Sequence, residues 1–167
     1  GFGVFFAGLY GTTLGYTHAG LFYTISAVSM IISRMISKHF MDTVPAIKTM
    51  TGAVACGILC CLMLLAAPYG EPVFLASGIF YGLATGISLP LNQSVAVKNT
   101  PPERWGAANA LFLLANDIGI GFASVIWGVI NDSFGFQTSI VCVIVCLIAS
   151  YASAWIVYPA RDKRWRH

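Results

Sequence analysis

The sequence predicts an all-α, polytopic membrane helix bundle, and three observations carry that prediction. Five apolar runs of about twenty residues follow one another, the length a helix needs to cross a ~30 Å hydrocarbon core. Only 9% of the residues are charged while 57% are hydrophobic, against about 25% charged in an ordinary soluble domain. The nine Lys and Arg residues keep to alternate gaps between the runs. Arg34, Lys38 and Lys48 surround one gap, Lys98 and Arg104 lie two runs later, and Arg161, Lys163, Arg164 and Arg166 form the tail. The gaps Gly11–His18, Pro68–Glu71 and Asn131–Gly135 contain neither residue. Basic residues are retained on the cytoplasmic side during insertion. The alternation therefore predicts a multi-pass protein of the cell (cytoplasmic) membrane with a cytoplasmic C-terminus.

Each span has its own justification. Residues 1–10 form a partial first run directed outward, expected to begin inside a helix; with no basic flank it does not read as a signal peptide. The second span, 19–37, runs inward and carries a partly hydroxylic surface through Tyr23, Thr24, Ser26, Ser29 and Ser33. The third, 49–67, is apolar nearly all round. The fourth, 73–97, carries Gly78, Gly82 and Gly86, a doubled G-x-x-x-G that lets another backbone approach closely. The fifth, 106–130, presents Gly106, Ala110, Asp117, Gly121, Ser124 and Gly128 at steps of three and four, a small and polar stripe interrupted only by Leu113. The sixth, 136–158, is again apolar nearly all round. All six must be helical, because lipid offers no partner for an unpaired backbone group. Pro45, Pro68, Pro72, Pro101 and Pro102 fall at span boundaries, where a missing N–H costs little. Composition suggests that the third and sixth spans face lipid and that the second, fourth and fifth form the interior.

Few residues are equipped for chemistry. Asp117 lies eleven residues beyond Gly106, roughly 16 Å into a helix rising ~1.5 Å per residue. A carboxylate at that depth is costly unless it faces a cavity or a partner, which makes Asp117 the candidate for proton coupling. Pro90, Asn92 and Gln93 close the fourth span. Pro90 withholds an N–H from the Gly86 carbonyl and can kink the helix, so these three, with Tyr23 and Ser26, are candidates for a cavity wall or gate. Plain helix packing and back-bonding hydroxyls are the competing explanation for each. The five cysteines lie in the third and sixth runs and no histidine lies in a span. Thiols there act as small hydrophobes, so no metal site, no cofactor and no enzyme is expected. No phosphate loop, dinucleotide fingerprint or G-x-S-x-G occurs. A net charge of +3 spread along one membrane face suits anionic lipid headgroups, not nucleic acid.

Three stretches carry a family likeness. They are Gly20 through Arg34 to Asp42; Tyr81-Gly-Leu-Ala-Thr-Gly-Ile-Ser-Leu-Pro90; and Pro101-Pro-Glu-Arg-Trp-Gly-Ala-Ala-Asn-Ala110 with Asn116-Asp-Ile-Gly-Ile-Gly121 and Gly128-Val-Ile-Asn-Asp-Ser-Phe-Gly135. Together they resemble the C-terminal half of a twelve-span transporter of the major facilitator superfamily, most closely bacterial exporters akin to drug:proton antiporters. The resemblance implies a six-helix half with its first helix truncated and the N-terminal half absent from this sequence. It also implies alternating access by rocking of two halves, and a small-molecule solute and a proton or other coupling ion as partners, alongside the bilayer and the missing half. Arg34, Asp42 and Arg104 would belong to the cytoplasmic loops that latch such a gate. The family's Gly-x-x-x-x-Asp-Arg-x-Gly loop is degenerate here, with Ser37 for glycine and Thr43 for the basic residue. The alternative function from another class is a non-transporting scaffold or sensor on the same fold.

Overall fold

The computed structural model describes residues 2–40, 44–98 and 100–162. They form five helices, α1 Phe2–Thr13, α2 Leu21–Phe40, α3 Ala46–Leu65, α4 Glu71–Lys98 and α5 Trp105–Asp162, with single 3-10 turns at Ala67–Tyr69 and Pro102–Arg104. No strand occurs among the described residues. α3, α4 and the stretch Pro102–Ile156 are long and apolar enough to cross a membrane, and Leu21–Ser37 is a shorter apolar helix.

α5 comprises two spans, not one. Gly135 adopts φ 80° and ψ 170° in the middle of otherwise helical backbone, a conformation closed in practice to residues with a Cβ. It divides α5 into arms 105–134 and 136–162. The second arm runs back along the first part of the bundle. At its start Phe136 packs on Tyr10 near the end of α1, ring centroids 4.9 Å apart. Further on the Tyr151 hydroxyl meets Thr51 Oγ1, near the start of α3, at 2.9 Å. The sequence anticipates a reversal at this point as a loop over 131–135. The structure achieves it with one glycine.

The helix order puts the end of α2, the start of α3, the end of α4 and both extremities of α5 at one end of the bundle. Arg34, Lys48, Lys98 and Arg104 all belong to that end, called here the basic end. The opposite end holds His18, Glu71 and Asp132. Prolines mark the entries. Pro45 precedes α3, Pro68 lies in the first 3-10 turn and Pro101 precedes the second. The first N–H groups of a helix have no internal partner, so nothing is lost there.

The tightest contact joins α2 to α4. Lipid tails give no hydrophobic drive between helices, so close backbone approach and interhelical hydrogen bonds must hold them together. Three buried glycines of α4 rest on α2, Gly78 against Phe22 and Ile25, Gly82 against Ser26 and Ser29, and Gly86 against Met30 and Ser33, and the three serines are themselves buried. A Cβ built on Gly82 would lie 2.3 Å from the Ser26 carbonyl oxygen, and one on Gly86 would lie 2.9 Å from the Met30 carbonyl oxygen. Across the seam the Ser29 hydroxyl donates to the Ile79 carbonyl at 2.8 Å and the Ser33 hydroxyl approaches the Gly82 carbonyl at 3.4 Å. The fourth span's G-x-x-x-G and the second span's hydroxyl row are thus two halves of one interface.

α1 lies on this pair through a second glycine seam. Gly3, Gly8 and Gly11 leave room for the rings of Tyr81, Tyr23 and Phe74. The Gly8 N–H donates to the Tyr23 hydroxyl at 3.0 Å. Phe22 sits at the centre, its ring 5.3 Å from Phe74 and 5.9 Å from Tyr81.

Two expectations about orientation require correction. α3 is not simply lipid-facing: Met50, Ala53, Val54, Cys60, Cys61 and Leu64 are buried between α4 and α5, while Ala55, Leu59 and Leu62 face outward. A run apolar on all sides carries no mark of which side is packed, so composition could not locate this face. The first arm of α5 departs the other way. Leu111, Leu114, Phe122 and Val125 are exposed, and a Cβ on Gly106, Gly119 or Gly121 would meet nothing within 4 Å. Its small and polar stripe packs on no helix among the described residues over most of its length.

Candidate functional site

The polar residues singled out from the sequence fall in three separate places. The first is the α2–α4 seam, which takes Ser26. Its side chain is 4% exposed and its hydroxyl donates to the Tyr23 carbonyl at 3.0 Å. Tyr23 is partly exposed, but its hydroxyl is held by Gly8 of α1. The structure therefore places both residues in helix-to-helix contacts.

The second place is the end of α4. Pro90 is half-buried and α4 continues through it to Lys98. Two residues on, Asn92 lines a half-open cavity of about 390 Å³ walled by α1, α3, α4 and both arms of α5. Tyr81, Thr85 and Ser88 line the same wall of α4, and Trp127 faces them from α5. Gln93 points to α5 instead, where its amide donates to Asn109 Oδ1 across the α4–α5 contact. That bond fixes where the first arm of α5 leaves α4. Asn109 was not singled out from the sequence. Its only signal was being an amide inside an apolar run, opposite another amide near the end of the preceding span.

The third place is the outer face of the first arm of α5, which carries Asp117. Its side chain is exposed from the bundle, with Leu113, Leu114 and Ile118 exposed around it. No hydrogen bond or ion pair engages its carboxylate among the described residues, and the arm is apolar enough to span a membrane. An ionisable group there must be met by a cavity, a partner helix or a proton. Of the latch candidates, Arg34 and Arg104 are exposed at the basic end, and Asp42 lies outside the described residues.

At the opposite end two interloop contacts had no foreseen role. The Tyr16 hydroxyl donates to the Ala67 carbonyl at 2.5 Å, and the His18 backbone N–H donates to Glu71 Oε1 at 3.0 Å. His18 Nδ1 also approaches Glu71 Oε1 at 3.5 Å. These contacts tie the α1–α2 turn to the α3–α4 turn.

The arrangement of glycine seams, antiparallel spans and a one-sided basic end agrees with what the sequence profile reports. The Major Facilitator Superfamily profile matches residues 1–167. The chain belongs to the Major Facilitator Superfamily. Membership in this family of membrane transporters, together with the apolar helices, makes it a multi-pass membrane protein. It is similar to the staphylopine export protein of Staphylococcus aureus, at 26% identity over 162 residues, 93% of this chain and 41% of the relative. The chain thus spans about two fifths of the length of that curated relative. No solved structure matches it. The α2–α4 seam and the α1 seam form a packed frame, and the first arm of α5 presents a small and polar stripe that this frame leaves open among the described residues.

Proposed function

We propose that this chain is one half of a secondary active transporter that exports a small organic solute, coupled to protons through Asp117. The single observation that carries the reading is a carboxylate halfway along an apolar, membrane-length arm, exposed from the bundle and unpaired among the described residues. Burial in a low-dielectric site disfavours the charged form of a carboxyl group. A carboxyl that faces water in one state and a closed interface in the other therefore binds and releases a proton as access alternates. Support for export comes from the superfamily match and from the exporter relative. An identity of 26% does not carry that relative's solute to this chain.

The partner implied for the open face of α5 is the other half of the same transporter. Its small stripe from Gly106 to Gly128 allows close approach, and rocking of the halves supplies alternating access. The one-sided basic end supports an orientation with that end, and the C-terminus, in the cytoplasm and the chain in the cytoplasmic membrane.

The test is solute flux in proteoliposomes containing the full-length protein, with cationic drugs, sugars and organic acids under an imposed pH gradient. Accumulation that collapses when the gradient is discharged supports secondary active transport. Failure of every solute to move, in a preparation shown to be folded, favours a non-transporting membrane scaffold.

A further inference from the structure

Away from the α5 face, α2 and α3 both lean on α4 at the basic end and leave a groove between them. Its volume is about 290 Å³, at the lower end of the ~300–1,000 Å³ typical of small-molecule sites. The floor is apolar, made by Leu83 and Ile87 of α4 with Ile36 of α2, and Gly52 of α3 leaves the upper wall open. Lys48 and Thr49 line the α3 side. The Thr49 hydroxyl is buried and has no hydrogen-bond partner among the described residues. The other hydroxyls of the groove are already bonded, Ser33 to the Met30 carbonyl at 2.9 Å and Ser37 to the Arg34 carbonyl at 3.3 Å.

We propose that this groove binds an anionic phospholipid, with the headgroup phosphate on Lys48, an ester or phosphate oxygen on the Thr49 hydroxyl, and the first part of an acyl chain over Leu83 and Ile87. Three features select this occupant. An apolar floor in a groove open on one side takes a hydrocarbon chain. A buried hydroxyl without a partner is costly, and a ligand oxygen removes that cost. Lys48 offers a charge and three donors to a phosphate, at an end where Arg34, Lys98 and Arg104 outnumber Glu103 among the described side chains. Basic pockets between membrane helices on the cytoplasmic side are where lipid headgroups bind. A zwitterionic headgroup would bring its own cation against Lys48 and gain less.

The inference is independent of proton coupling, and lipid binding can be read without transport. The experiment is native mass spectrometry of the full-length protein taken from bilayers of equal phosphatidylglycerol and phosphatidylcholine. Wild type should retain phosphatidylglycerol about fivefold over phosphatidylcholine, the factor that ~1 kcal/mol per basic residue near a membrane surface corresponds to. Lys48→Gln should erase the preference. Gly52→Leu should lower retention of both lipids, since Gly52 lines the groove, a Cβ there meets nothing within 4 Å, and the leucine side chain takes up groove volume. Equal retention of the two lipids by wild type, or an unchanged preference in Lys48→Gln with an unchanged yield in Gly52→Leu, would overturn the site.

Discussion

Asp117 and Tyr23 show how differently two polar residues in apolar helices can be employed. Tyr23 spends its hydroxyl on the Gly8 N–H at 3.0 Å. Tyr23→Phe should cost about 1 kcal/mol, the usual net worth of one such bond, and lower the melting temperature of the purified protein slightly while leaving transport intact. A loss of transport without a loss of stability would instead make Tyr23 part of the solute path. Asp117 has no such employment among the described residues. Its prominence was legible in the sequence because a charge in an apolar run is a physical anomaly. The fate of Ser26 was not legible. A hydroxyl on a membrane helix reads the same whether it lines water or packs against a glycine, and only the placement of Gly82 opposite it decides.

The glycines of α4 and the glycine of α5 make opposite predictions at the scale of the element. Gly82→Ala drives a methyl into the Ser26 carbonyl at 2.3 Å, where two backbones rather than a flexible side chain must move. Overpacking of that kind costs about 1–3 kcal/mol, to be read as a lower melting temperature and reduced yield in the membrane. Gly119→Ala adds a methyl to open space and should leave stability unchanged or slightly raised by helix propensity. Equal effects from the two substitutions would deny the α2–α4 seam its role. Gly135→Ala forces a Cβ into φ 80°, ψ 170° and should cost about 1–3 kcal/mol, seen as faster proteolysis between the two arms of α5. The seam was half visible in advance: the G-x-x-x-G of α4 announced a close contact, but not which helix would fill it. Nor could Gly135 be distinguished from its neighbours in Asn131–Gly135, since a run of turn-forming residues marks a reversal without naming its pivot. α3 was the least legible element, because an all-apolar helix looks the same from every side.

For the whole molecule, the membrane class was readable from gap charges and run lengths, since both follow from the bilayer and not from side-chain detail, while the family was readable only from the three stretches that resemble it. The division between packed frame and open face was less readable. It depends on α3 packing under α4 and on the first arm of α5 standing free, which only the three-dimensional arrangement reveals. Cysteine substitutions at Thr17 and Thr100, on opposite ends of the bundle, test the orientation. A membrane-impermeant thiol reagent applied to whole cells should label position 17 and spare position 100, and the reverse labelling would invert the topology. The central claim is that the open face of α5 moves protons through Asp117. Its most direct test is a recording of intravesicular pH in proteoliposomes of the full-length protein as solute is added, comparing wild type with Asp117→Asn. Solute-dependent proton movement in wild type and none in the variant, with both proteins equally present in the membrane, is the expected result; the same proton movement in both would contradict it.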